Sequence, residues 1–155
     1  MVPPQVKTVA DFIEWCRANP TKSAYGTPGA GTPMHFLGAM LATAGDMKYL
    51  HVPYQGSGPA TQDVLGGQIA SAIVPVPAVV QLREPERLRV LATTGPQRSS
   101  SLPDVSTMKE AGFPALEFSE GSEYYSQEKL LRTLQSHSTE RFAMLWTPMN
   151  SKVDC

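Results

Sequence analysis

At 155 residues the chain has the length of one ordinary domain with a real core. Its 13 basic and 14 acidic residues, a formal net charge of -1, are mixed along the sequence, which excludes an extended positive field for nucleic-acid phosphates or anionic lipid. Cys16 and Cys155 make neither a disulfide framework nor a zinc spacing, no apolar run reaches the length of a membrane span, and residues 1–20 lack the basic start and apolar centre of an export signal.

Helical and strand patterns alternate along the chain, which predicts an α/β domain with a mostly parallel sheet. "TVADFIEWCRANP" puts Val9, Phe12, Ile13 and Cys16 on one helical face, with Thr8 as N-cap and Pro20 beyond the end. "SAYGT" reads as a short strand. "PMHFLGAMLATAG" is a helix whose Phe36, Leu37, Met40 and Leu41 form an apolar stripe ended by Gly45. "MKYLHVPY" alternates like a strand, "QGSG" is a turn, and "PATQDVLGG" is a helix opened by Pro59 and closed by Gly66 and Gly67. "QIASAIVPV" is small and apolar enough to be a third strand buried on both faces. A helix broken at Pro85, a fourth strand "RVLATTG", a helical turn or two in "STMKEAG" and a strand in "ALEF" complete the expected elements. The composition changes after Phe118, where glycine and proline thin out and Leu130, Leu131, Leu134, Phe142 and Leu145 fall at roughly helical spacing. A domain over residues 1–118 and a divergent helical tail over 119–155, packed on it or mediating self-association, are expected.

The stretch "SAYGTPGAGTPMHF" joins a strand end to a helix start. Amides at a helix start are unpaired and the helix dipole adds partial positive charge, so an anion is favoured there without a lysine. Glycines at 26, 29 and 31 let the backbone approach closely, Thr32 is a natural N-cap, and Pro33 suits the first helical position, leaving the amides of Met34 and His35 as candidate donors. The P-loop pattern fails because its lysine is missing and Pro33 interrupts it, and the dinucleotide fingerprint fails because Met34 stands where the third glycine belongs. A carboxylate fits better; the same glycines also suit a tight turn with no ligand.

His35, at the positive end of the helix, suits a neutral imidazole offering one hydrogen bond, and no Ser, Asp or Cys is spaced to complete a triad with it. His51, in a strand, reads as structural. "VPYQGSGPA" repeats the strand–glycine–helix arrangement, so the amides near Gly56, Ser57, Gly58 and Ala60 can face the same cleft, with Tyr54 as an aromatic wall and hydroxyl. The charged run "REPERLR" reads as a solvated face. No catalytic residue, metal site or cofactor is expected.

The runs "YGTPGAGTPMHFLGAML", "HVPYQGSGPATQDVLGGQIASAI" and "LRVLATTGPQRSSSLPDVSTMKEAGFPALEF" resemble the second domain of the tripartite tricarboxylate transporter receptors, the Bug or TctC-like solute-binding proteins. The resemblance implies a three-layer αβα lobe of a type II periplasmic binding protein, a small carboxylate as solute, membrane subunits of the transporter as partners, and a periplasmic location. It implies that Thr27, Gly29, Gly31, Thr32, Met34 and His35 on one loop, and Tyr54 to Ala60 on the other, are this lobe's share of the cleft. A complete receptor is roughly twice as long, with an export signal and a first domain ahead of this one. Ala70 and Val74 stand where family members carry aspartates, which predicts a cleft loop near Pro75 to Pro77 that has lost a polar group. The text after Phe118 does not match the family, as a truncated or shifted reading frame, or a short variant with its own helix, would explain. One lobe alone is expected to bind weakly and to hide its docking face by self-association; a remnant interaction module with no ligand is the alternative.

Overall fold

The structure, a computed structural model, describes residues 2–80 and 88–118, all within one compact unit, Met1–Glu120. Helix α1, Val9–Ala18, starts at a reciprocal cap: Thr8 Oγ1 accepts from the Asp11 amide at 3.1 Å, while the Asp11 carboxylate accepts from the Thr8 amide at 2.9 Å. Val9, Phe12, Ile13 and Cys16 are its buried residues, the four that the helical spacing selects. At its far end the Ser23 hydroxyl lies 3.0 Å from the Cys16 carbonyl and 2.9 Å from that of Asn19, which closes the helix onto the next strand.

Strand β1, Ala24–Thr27, leads to α2, Pro33–Ala44, which has Thr32 as N-cap and Gly45 as C-cap, as the sequence predicts. Strand β2, Leu50–Pro53, leads to α3, Ser57–Leu65. This helix opens two residues before Pro59, with Gly56 as N-cap, because proline is tolerated anywhere in a first turn that has no amide partner to lose. Strand β3, Ser71–Ala72, is much shorter than "QIASAIVPV" predicts, and it lies at an edge, half-buried, rather than enclosed on both faces. Its bonding to β1 extends from Ala70, whose amide donates to the Ala24 carbonyl, to Ile73, whose amide donates to that of Gly26. Pro75 then has no amide to give. Helix α4, Val76–Val80, follows, and the expected break at Pro85 lies outside the described residues.

All described strands are parallel, in the order β2-β1-β3, with Tyr25 opposite both His51 and Ser71. The chain moves one way across the sheet from β1 to β2 and the other way from β2 to β3. Right-handed crossovers therefore set α2 and α3 on opposite faces, which makes the domain a three-layer αβα unit. Tyr25 sits on the α2 side against Gly38, and Gly26 on the other side against Ile69 and Tyr54.

Two apolar clusters flank the sheet. One joins Val6, α1, Leu41 of α2, Met47 and Leu116; the other joins Val79, Leu102 and Val105. The Arg89 guanidinium ties the first cluster's chain entry to the later segment by donating to the Pro4 and Val6 carbonyls at 2.7 and 2.6 Å.

Two expected strands do not form. "RVLATTG" contributes a single parallel bridge, Thr93 to Thr107, and "ALEF" is replaced by a 3-10 turn, Pro114–Leu116, because proline starts a helical turn readily and donates nothing to a sheet ladder. "STMKEAG" forms one hydrogen-bonded turn, capped reciprocally by Thr107 and Glu110, with Arg98 on the Glu110 carboxylate at 3.0 and 3.1 Å. Donation from the Thr107 backbone, followed by the hydrogen bond from Arg98, holds Glu110 below the usual carboxylate range. The expected helical tail lies outside the described residues. Among them, no helix is long and apolar enough to cross a membrane, and no group of three or more metal-ligating side chains converges.

Candidate functional site

Because the strands are parallel, the loops after Thr27, Pro53 and Ala72 leave the sheet from one edge. The chain runs outward from β1 in opposite directions, so the crevice between the ends of β1 and β3 is the switch point where ligands of open α/β sheets sit. The first two loops are bonded together: the Tyr54 amide donates to the Thr27 carbonyl at 2.9 Å, and the Gly56 amide to the Pro28 carbonyl at 3.1 Å.

Within the first loop both threonine hydroxyls and the amides of Gly31 and His35 already have partners. Thr27 is fully buried, and its hydroxyl contacts the Gly29 carbonyl at 2.9 Å and His51 Nε2 at 2.7 Å. Thr32 donates to the same Gly29 carbonyl at 2.9 Å. The Gly31 amide is given to His35 Nδ1 at 3.2 Å, and the His35 amide is held by the backbone and side chain of Thr32. The His35 amide, a candidate anion donor in the sequence, is thus engaged by the N-cap threonine. Met34 is half-buried at the second helical position.

The second loop is built differently. Gly56, at φ 110° and ψ 171°, adopts a backbone region almost closed to other residues, and it offers no side chain to cap α3. Ser57 and Gly58 occupy the first two positions of that helix, and a Cβ added at either Gly56 or Gly58 would meet nothing within 4 Å. The uncapped start of α3, facing open space, is thus the stronger anion-favouring pole. Ala60 is fully buried, so its side chain belongs to the core. Tyr54 lies with its ring over Gly26 and commits its hydroxyl to Asp63 Oδ2 at 2.7 Å, so it is a wall without the free hydroxyl that the sequence suggests. Burial first, and the Asp63 carboxylate second, push its pKa up to about 12.

His51, read as structural from the sequence, stands at the site. Its ring stacks on His35 with centroids 3.8 Å apart and planes 13° from parallel, and the signal that could have found it is register, since it lies opposite Tyr25 beside Thr27. The stack continues inward through Tyr25 and Tyr49 to Phe12 and Trp15. Burial first, then the His35 charge, lowers the His51 pKa from 6.5. The unfolded chain then binds the proton more readily, so this group's stabilisation is complete above pH 6.5 and is lost as the pH falls through the lowered value. Urea midpoints are expected to decline between about pH 7 and 5, and His51→Gln, which keeps a donor for Thr27 without titrating, should flatten that decline.

Ala70 and Val74 lie at opposite ends of β3, so only Val74 stands at the edge from which the loops leave. Ala70 precedes β3, at the end of the strand away from the loops, and packs with the α1 cluster, while Val74 packs with Val79 and Leu102.

A doubly wound parallel sheet with glycine loops at the carboxyl ends of its strands is the architecture of one α/β lobe of the periplasmic-binding-protein class, and solved structures share the fold. A periplasmic transporter matches with a TM-score of 0.66 and 29% identity over 86% of this chain and 46% of its own. An R. palustris protein solved with adipate matches with a TM-score of 0.68 and 26% identity over 92% of this chain and 50% of its own. The chain belongs to the tripartite tricarboxylate transporter receptor family, whose model matches residues 1–122. It is 37% identical to the UPF0065 protein in the gbd 5' region of Cupriavidus necator over 107 residues, which are 69% of this chain and 32% of that one. BugT of Bordetella pertussis is 36% identical over 66% of this chain and 32% of its own. The chain spans about a third of the length of the curated relatives it matches.

Proposed function

We propose that residues 1–118 act as one lobe of a solute-binding receptor, taking a small carboxylate at the switch point and presenting it to the membrane subunits of a tripartite transporter in the periplasm. The observation that carries this reading is the pair of bonded glycine loops beside an α3 start with no side-chain cap. Backbone amides and a helix dipole suffice for a carboxylate, which explains why no lysine or arginine stands among the candidate residues. The similar R. palustris structure with adipate, a dicarboxylate, supports the choice of solute class.

Receptors of this class hold a solute between two lobes, and one lobe leaves the ligand hydrated on its open side. Binding to this chain is therefore expected near millimolar, about 4 kcal/mol. Calorimetry with succinate, citrate, glutamate and nicotinate tests the proposal. A saturable heat for one of them, with a matching rise in melting temperature, supports it; no heat and no rise at millimolar ligand leaves the chain as an interaction module without a solute, whose self-association sedimentation would measure.

A further inference from the structure

The direction of each hydrogen bond around the 28–32 loop follows from proton counting. A threonine hydroxyl has one proton to give. Thr27 Oγ1 gives it to the Gly29 carbonyl at 2.9 Å, so the 2.7 Å contact with His51 Nε2 requires that nitrogen to carry a proton and donate. At the other end of the loop the Gly31 amide donates to His35 Nδ1 at 3.2 Å. That nitrogen must be bare, which places the neutral ring's proton on Nε2.

We infer that His35 is a positioning residue of the glycine loop, holding Gly31 through an unprotonated Nδ1, while His51, fixed by Thr27, supplies the face on which the His35 ring is stacked. The functional consequence rests on the solute-binding reading; the geometry does not. Gly31, at φ 75° and exposed, has open space around it, so a lost bond to His35 leaves the loop free to change shape.

Protonation acts differently at the two rings. A proton on His35 Nδ1 turns the acceptor into a donor and ejects the Gly31 amide, whereas a proton on His51 Nδ1 leaves the bond to Thr27 in place. Two charged rings at 3.8 Å would repel each other. Among the described residues the titratable groups facing the pair are the two imidazoles themselves and Tyr25 of β1, whose hydroxyl donates to the His35 carbonyl at 3.0 Å and whose ring lies 5.1 Å from that of His51; Phe36, beside His35 on α2, carries no charge.

Amide NMR on the full chain, without ligand, tests the inference between pH 8 and 5. The Gly31 amide is expected to shift with the same midpoint as the His35 ring, and this titration should vanish in His35→Phe, which keeps a ring on His51 but offers no acceptor. At pH 8 the Gly31 amide of His35→Phe should exchange about threefold to tenfold faster, the worth of one hydrogen bond. His35→Asn, whose Oδ1 can reach the place of Nδ1, should restore slow exchange with no titration. A Gly31 amide that ignores His35 protonation, or behaves alike in His35→Phe and His35→Asn, overturns the positioning role even where succinate binds. Affinity for whichever of succinate, citrate, glutamate and nicotinate binds should fall by the same threefold to tenfold in His35→Phe and survive in His35→Asn; a Gly31 amide that follows His35 in a chain that binds none of the four overturns the solute reading and supports the positioning role.

Discussion

Gly38→Ala is expected to destabilise the domain by about 3 kcal/mol, although alanine is the better helix former by about 1 kcal/mol. A Cβ at this position would lie 2.0 Å from Tyr25 Cε2 and 2.3 Å from its Cζ. The Tyr25 ring has nowhere to retreat. It is 2% exposed, it stacks on Tyr49 with centroids 4.3 Å apart, and its hydroxyl is bonded to the His35 carbonyl at 3.0 Å. Either α2 lifts from the sheet or the aromatic stack breaks. Urea unfolding should show the midpoint falling by roughly 2 M for an m-value near 1.5 kcal/mol/M. Tyr25→Leu in the same chain should relieve part of the loss, so the two changes should couple in a double-mutant cycle. A midpoint that is unchanged or raised by Gly38→Ala would mean that α2 does not seat on Tyr25 as described.

Thr27→Val should cost about 1–3 kcal/mol while keeping the shape of the side chain. Valine removes the acceptor of the His51 Nε2 proton and one of the two hydroxyls that hold the Gly29 carbonyl, in a position with no exposure to water. Thr27→Ser keeps the hydroxyl and should recover most of that stability, which separates the lost bonds from lost packing. The same pair of variants reports on the site. Solute binding should weaken in Thr27→Val and persist in Thr27→Ser; equal affinity in both would mean that the first loop does not shape the cleft.

How far the sequence reveals the molecule depends on how local each signal is. The first helix is legible because Thr8, Asp11 and four apolar residues lie within nine positions of one another and need no distant partner. The ends of α2 are legible for the same reason, through Thr32, Pro33 and Gly45. Strand length is not local. "QIASAIVPV" has the composition of a long buried strand, yet the only described partner, β1, is four residues long, and Pro75 ends the bonding. "RVLATTG" likewise has strand composition and only one bridge. In the site, the glycine loops show in the sequence, but the fate of their amides does not. That Gly31 is taken by the His35 ring, and that His51 stacks on that ring, follow from the parallel register of β2 on β1, which no spacing within either strand reveals.

Of the described strands, the central one is the first to be made. Every strand-to-strand bond among the described strands has β1 as one partner, and both neighbours come later in the chain. During synthesis Ala24–Thr27 therefore leaves the ribosome with its edges unanswered until Leu50–Pro53 follows, and α1 is the one described apolar helix already available to cover its buried side chains. The order of the strands thus makes the interval between β1 and β2 the stage of biogenesis at which this domain is most exposed to mispairing, and the stage at which a chaperone for extended chain would have most to hold.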